Sequence, residues 1–311
     1  MAILRATALI VTSLFAAAFT AAFMSLPAVA QMKVNVGYVQ TADSLPVRIA
    51  KDRGFFDKRK LDVTLTPIAL ASNIPSAIMA NSVQIGMGTV PMLLQTNEAG
   101  LGLIAVGAIS RVNKQSNIIS LVVRTGVKVD GPADLRGKKV GVPGFNSMMH
   151  VVFQKWLVDR GVPPAQVPMV EAPFPQMNDL LKGGTLDAVV VLEPFRGRII
   201  GGNVGYKVSD FVTEVQDNIM AAMWMTKSDW AAANGPALRA FREAYLEAID
   251  WALKNIKEVK EMEAKILGAA SPIVPAYDAE IRVADVELFA RIGRELGMLK
   301  QPVDVNKLIW K

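Results

Sequence analysis

The sequence predicts an α/β protein of two small lobes with a shared plan, completed by a helical C-terminal tail packed on the first lobe. Three observations carry this. A strand, a polar turn and an amphipathic helix occur in that order at Val34–Gly54 and again at Lys139–Gly161. Each is followed by a second short strand, a short helix and a buried apolar strand. From about Asp229 to Gly297 the apolar residues recur at helical spacing.

The first lobe starts with Val34-Asn35-Val36-Gly37-Tyr38, read as a strand, and the polar loop Gln40-Thr41-Ala42-Asp43-Ser44. A helical pattern then runs from Leu45 to Asp52-Arg53-Gly54, where glycine ends it. The second lobe repeats this with Lys139-Val140-Gly141-Val142, the loop Pro143-Gly144-Phe145-Asn146-Ser147, and a helix from Met148 to Asp159-Arg160-Gly161. Val63-Thr64-Leu65 and Val167–Val170 are the second strands. Ile74–Ala80 and Gln176–Lys182 are the short helices, and the apolar strands follow within 81–88, at Ile85–Gly88, and within 183–191. Alternating strands and helices predict parallel sheets covered by helices. Ser116–Arg124 and Asn218–Thr226 read as strands at the two passages between lobes. The expected division is 1–30 as a signal peptide, 31–120 as lobe 1, 121–220 as lobe 2, and 221–311 as a return strand and helices completing lobe 1.

The leader reading rests on one charge at Arg5, an apolar run from Ala8 to Met24, and the small-x-small end Ala28-Val29-Ala30. It predicts export and cleavage after Ala30. The chain of 311 residues contains no cysteine, so disulfides, thiolate metal sites, a cysteine nucleophile and a lipidated cysteine anchor are excluded. A hydrophobic fraction of 51% with 20% charged residues is ample for a packed core. The net charge of +6 is thinly spread: Lys58-Arg59-Lys60 and Lys138-Lys139 are the tight basic runs. Neither has the interleaved aromatics of a nucleic-acid surface, so no nucleic-acid partner is expected.

The sequence resembles the nitrate/sulfonate/taurine and pyrimidine-precursor group of periplasmic substrate-binding proteins. The residues that carry the resemblance are Val36-Gly37-Tyr38, Ala50-Lys51-Asp52-Arg53-Gly54-Phe55-Phe56, Asp134-Leu135-Arg136-Gly137-Lys138-Lys139-Val140-Gly141-Val142, and Gly184-Thr185-Leu186-Asp187-Ala188 followed by Glu193-Pro194. It implies two Rossmann-like α/β lobes joined by a hinge, the type II periplasmic binding protein architecture, with a ligand held between them. It further implies a monomer that binds a small polar or anionic organic solute, sulfonate-, taurine- or nitrate-like, and delivers it to an ABC permease in the inner membrane. The pyrimidine-synthesising enzymes of this fold carry a cysteine-rich iron motif, which is missing here, so no enzyme activity and no cofactor are expected. A pyrimidine-type or aromatic ligand, or a sensor in place of a transporter, stays open at this stage.

Ligands of parallel α/β lobes bind at the carboxyl ends of strands. The first turn offers Gln40, Thr41, Asp43 and Ser44, and the second Asn146, Ser147, Met148 and His150. Free N–H groups and a positive dipole end at a helix start suit an anionic or strongly polar group. Ser72 and Asn73 precede a short helix, and Thr89 ends a buried strand. Arg111 is placed to meet a carboxylate or sulfonate. Glu193 is placed either to accept from an amine or to pair with Arg196 or Arg198, and Trp224 offers a stacking face. Most of these have a plain alternative as caps, core or surface ion pairs. With one histidine in the chain, a histidine metal cluster is excluded and no metal site is expected. Ser147 and His150 sit three apart, but no Gly-x-Ser-x-Gly surrounds the serine, which argues against hydrolysis.

Overall fold

A computed structural model describes residues 31–311, so the leader reading over 1–30 lies outside the described residues. Two sheets organise the chain. The first contains β1 (Met32–Tyr38), β2 (Leu61–Pro67), β3 (Ile85–Gly88), β4 (Leu103–Val112), β10 (Ile219–Lys227) and β11 (Ala276–Tyr277), in the order β11-β4-β10-β3-β1-β2. The second contains β5 (Ile119–Arg124), β6 (Val140–Val142), β7 (Met169–Glu171), β8 (Ala188–Leu192) and β9 (Gly205–Ser209), in the order β7-β6-β8-β5-β9. The chain leaves the first sheet after Val112 and returns at Ile219. Only residues 113–118 and 210–218 lie between the sheets; Ile119–Arg124 and Ile219–Lys227 are strands within them.

The sheets are mixed, where helix–strand alternation predicts parallel ones. β1 and β3 run parallel, as do β6 with β7 and β6 with β8. β10 is antiparallel to β3 and to β4, and β5 is antiparallel to β8 and β9. The reason is connectivity. The parallel pairs are joined through covering helices within one sheet, whereas β5 is entered straight from the other sheet and β10 from it after the short helix Phe211–Val215, so neither needs a crossover within its own sheet.

Local chemistry explains the shared plan. The helix Leu45–Asp52 ends at Gly54 with φ +69°, and the helix Met148–Val158 ends near Gly161 with φ +72°. Both glycines take the left-handed turn that lets the chain reverse towards the next strand. The inner strands β3, β4, β5, β6, β8 and β10 are mostly apolar and buried, with Ile85, Val122, Val142 and Val190 fully enclosed. Such continuous apolar runs are what a sheet covered on both faces requires. Helix Ile74–Met79 packs directly on β3, because a Cβ at Gly86 would meet Ile74 Cγ2 at 2.6 Å.

The helical tail closes over the first sheet. Phe241 of helix Gly235–Lys254 stacks on Phe56 at 5.6 Å and meets Trp224 edge-on at 5.4 Å. Arg59 bonds Glu247 at 2.7 Å, and the Trp310 amide donates to the Ala105 carbonyl at 2.9 Å. The tail also touches second-sheet helices: Lys155 pairs with Glu295 at 3.1 Å, and Arg198 donates to the Leu267 carbonyl at 2.9 Å. Among the described residues, no helix is long and apolar enough to cross a membrane.

Candidate functional site

The carboxyl ends of β1, β3, β6 and β8 converge on a small cavity of about 60 Å³ between the two sheets. The first-sheet side supplies Val39, Thr41, Asp43, Ala71, Met87 and Thr89, with Ala221 and Ala222 from β10. The second-sheet side supplies Ile119, Pro143, Ser147, Met148, Met149, Phe174 and Leu192. The two sides touch: the Ala71 amide donates to the Pro143 carbonyl at 3.4 Å. A Cβ on Gly144 would come within 2.9 Å of the Ser72 nitrogen, so the absent side chain is what lets the two turns meet.

The turn after β1 is a short 3-10 helix, Ala42–Ser44, locked by its own side chains. The Thr41 amide donates to Ser44 Oγ at 3.2 Å, and Ser44 Oγ donates to the Thr41 carbonyl at 2.9 Å. Thr41 Oγ1 donates to Asp43 Oδ1 at 2.6 Å, and Ser110 Oγ from β4 donates to Asp43 Oδ2 at 2.9 Å. Tyr277 secures the turn from outside by donating to the Ala42 carbonyl at 3.1 Å. Asp43 is buried and its neighbours are neutral hydroxyls. Burial pushes its carboxyl above the usual range, and the bonds from Thr41 and Ser110 pull the other way.

Thr89 follows β3 in extended conformation and starts the helix Val90–Glu98. Its Oγ1 is buried and finds no partner. An orphaned hydroxyl on a cavity wall is a position where a ligand atom can complete a hydrogen bond.

In the second lobe, Ser147 caps the helix Met148–Val158 by accepting from the His150 amide at 3.2 Å. The His150 ring faces away from the Ser147 hydroxyl. Its Nδ1 accepts from the Asn146 amide at 3.0 Å, and its Nε2 lies 3.2 Å from Gln154 Nε2. Burial lowers the imidazole pKa to about 4, so the ring is neutral at pH 7, although Glu171 opposes the shift.

Of the residues the sequence singled out, Thr41, Asp43, Thr89, Ser147 and Met148 meet at the cavity. Ser44 is buried beside it and turns its hydroxyl onto Thr41. Ser72, Asn73 and Asn146 line a neighbouring open groove with Phe145 and Glu171. Gln40 is exposed and lines a separate groove with Pro67, Ile68 and Phe174. His150 sits behind the second turn. Three more lie away from both the cavity and the two grooves. Arg111 is buried in a two-pronged ion pair, its NH1 donating to Asp285 Oδ2 at 2.9 Å, with Nε donating to Asn218 at 2.8 Å. Glu193 accepts from Arg196 Nε at 2.7 Å and from the Gly197 amide at 3.1 Å. Trp224 is 1% exposed and packs between Phe241 and Tyr245 in the first-lobe core. Each has met a partner supplied by chain distant in sequence or by the next helical turn, and that partner satisfies it.

Apart from Met148, the apolar wall carried little signal in the sequence. Phe174, stacked on Phe195 at 5.6 Å, begins a helix at the carboxyl end of β7. The signal was the run Ala172-Pro173-Phe174-Pro175, a proline-bounded helix start at a strand end, the same placement that exposes Thr41 and Ser147 to the cavity. Val39, Met87 and Leu192 carry no signal beyond being the last or next residues of buried strands.

These features define a two-lobe α/β binding-protein fold of the type II periplasmic class, and solved structures share it. The alkanesulfonate-binding protein SsuA from Xanthomonas axonopodis pv. citri, solved with MOPS, superposes with a TM-score of 0.76 at 16% identity, covering 91% of this chain and 99% of that one. The periplasmic nitrate-binding protein NrtA from Synechocystis PCC 6803 gives a TM-score of 0.75 at 16% identity, covering 89% and 86%. The particular family follows from sequence: residues 28–268 match the NMT1-like family, and the chain belongs to it. The nitrate/nitrite binding protein NrtA of Nostoc sp. strain PCC 7120 is 25% identical over 266 residues, 77% of this chain and 58% of that protein. A putative thiamine biosynthesis protein of Haemophilus influenzae is 27% identical over 176 residues, 54% of this chain and 52% of that one. The chain thus spans little more than half the length of these two relatives.

Proposed function

We propose that this chain is the periplasmic solute-binding component of an ABC importer, and that it captures a small polar solute between its lobes by closing on it. The observation that carries the proposal is the cavity itself: turns at the ends of four strands, two from each sheet, wall it jointly. A ligand touching both walls stabilises the arrangement in which they meet, so its binding energy shifts the balance from open to closed. The closed form is then what a membrane permease receives. The names of the relatives, binding proteins for nitrate and for alkanesulfonate, support the role.

The site supports binding in preference to bond chemistry. Ser147 spends its oxygen on a helix cap and the His150 ring is turned to Asn146 and Gln154, so no nucleophile stands beside a base. None of the cavity-lining residues is lysine or arginine. The groups there able to hold a solute are Asp43, Thr41, Thr89, Ser147 and the backbone N–H groups at the turns.

The purified protein should show a concentration-dependent rise in Tm with one class of small solute, because a ligand that binds only the folded state stabilises it by mass action. X-ray scattering should show compaction with the same solute. A screen of sulfonates, carboxylates, nitrate, bicarbonate and amines with no Tm rise, and no small molecule released on denaturing protein taken from its host, would remove the proposal.

A further inference from the structure

We propose that Asp43 selects the solute: the cavity takes a small molecule with an apolar body and an amine or amidine N–H group, held by the Asp43 carboxylate, in preference to a simple oxyanion. This rests on the solute-binding reading above and names the class of solute.

The argument starts from the composition of the wall. Asp43 is the one ionisable residue among those lining the cavity, and the others are hydroxyl, aliphatic, thioether or aromatic side chains. Asp43 is 4% exposed, yet among the described residues none of the ion pairs includes it. This contrasts with Arg111 and Glu193, which are equally enclosed and are matched by Asp285 and Arg196. A buried charge is normally matched by an opposite one, because isolation from water is costly. Glu193, the carboxylate whose sequence position suggested it for an amine, is thus already matched, and Asp43 is not.

The groups around Asp43 orient it without neutralising it. Thr41 from its own turn and Ser110 from β4 each donate one hydrogen bond, one to each carboxylate oxygen. The backbone N–H groups of Asp43 and Ser44 also act on the carboxyl, and like the hydroxyls they are neutral, so no charged donor answers its charge. The nearby phenols do not answer it: Tyr277 donates to the Ala42 carbonyl, and Tyr245 lies in the core beside Trp224. The raised proton affinity of the carboxyl agrees with a site whose charge awaits a cation or a strong donor. On the same first-sheet side the unpartnered Thr89 Oγ1 offers one further acceptor. Met87, Met148, Met149, Phe174 and Leu192 enclose whatever apolar body accompanies the donor. An oxyanion seated here would face a like charge in a dry site and would meet no lysine or arginine.

The test is a titration of the full mature chain with size-matched probes: propylamine and acetamidine on one side, butyrate, propanesulfonate and nitrate on the other. The expected result is binding of an amine or amidine at least about tenfold tighter than its oxyanion counterpart, since each 1.4 kcal/mol is tenfold. Asp43→Asn, which keeps the size and one oxygen to accept a hydroxyl, should weaken the amine by roughly 10- to 100-fold, the range of a charge-assisted hydrogen bond. The wild-type comparison stands whether or not the variant folds. Oxyanions binding wild type as tightly as amines would overturn the proposal while leaving solute binding intact, as would an unchanged amine affinity in Asp43→Asn. Failure of every probe, with no small molecule carried by protein from its host, would remove both readings together.

Discussion

The turns after β1 and after β6 occupy equivalent places in their lobes and have opposite characters. The first is a 3-10 turn braced by Thr41, Asp43 and Ser44, with Ser110 behind it. The second leads into an eleven-residue α-helix whose first residues are Met148 and Met149, with its polar atoms consumed by capping. One presents a carboxylate and the other presents thioethers. On the solute-binding proposal, the side chains laid on the shared plan divide the work: the first lobe supplies the carboxylate and most of the hydroxyls, and the second a mainly apolar wall.

The sharpest way to break this comparison is to ask whether Arg111 is truly withdrawn from the site. It sits on β4 next to Ser110, and because adjacent strand residues point to opposite faces it is turned from the side where Ser110 meets Asp43 to the side where Asp285 holds it. Asp285→Ala leaves the buried guanidinium with Asn218 and with Asp278, whose Oδ2 lies 3.9 Å from NH1, and urea denaturation should show a loss of about 3–5 kcal/mol. A loss under about 1 kcal/mol would mean that Asp278 takes over the charge.

The two lobes should also answer pH in opposite senses. In the second, His150 has a pKa of about 4 when folded against 6.5 unfolded. Between those values the unfolded chain binds the proton and the folded one does not, so stability falls as pH drops from 6.5 to 4, by on the order of 3 kcal/mol. In the first, the raised carboxyl of Asp43 keeps its proton above 3.8 in the folded state. Its contribution is therefore greatest below 3.8 and is lost as pH rises through the folded value. Denaturation curves across pH 4–6.5 should flatten in His150→Gln and steepen in Asp43→Asn. Parallel curves for His150→Gln and wild type would show that the imidazole is not held neutral.

Closure can be tested separately from chemistry at Gly144. A Cβ there meets the Ser72 backbone nitrogen at 2.9 Å, a group of the opposite lobe that cannot swing aside. Gly144→Ala should leave the Tm of the free protein near wild type and weaken solute binding by about tenfold, about 1.4 kcal/mol. Unchanged affinity would show that the lobes need not touch at this point for binding.

Much of this was legible in the sequence, and the limits are physical. Gly54 and Gly161 announce the helix ends, because few other residues take a positive φ there cheaply. The meeting of Thr41, Asp43, Thr89, Ser147 and Met148 at the cavity was legible because strand ends in such lobes open onto the crevice. The candidates placed elsewhere share a cause. Arg111 and Glu193 lie near strand ends and Trp224 within β10, but their partners come from Asp285, Arg196 and Phe241, and strand position alone does not say which charge or ring is already matched. Antiparallel β5 and β10 were hidden for a similar reason: the direction of a strand depends on whether it is reached by a crossover within its own sheet or from the other sheet, and periodicity is blind to that.

The finest test of the division between lobes is Ser147, which both caps a helix and lines the cavity. Ser147→Ala removes the acceptor for the His150 amide and should cost about 1 kcal/mol of stability. If the second lobe serves mainly as an apolar wall, affinity for an amine probe should stay within about threefold of wild type, under 1 kcal/mol. The cap loss then reads out in denaturation and is nearly silent in titration. A fall in affinity of about tenfold or more, with the same modest loss of stability, would place a polar contact in the second lobe as well. Recognition would then be shared across the cleft, and Thr89, whose hydroxyl is unpartnered on the first-lobe side, would be the next position to vary.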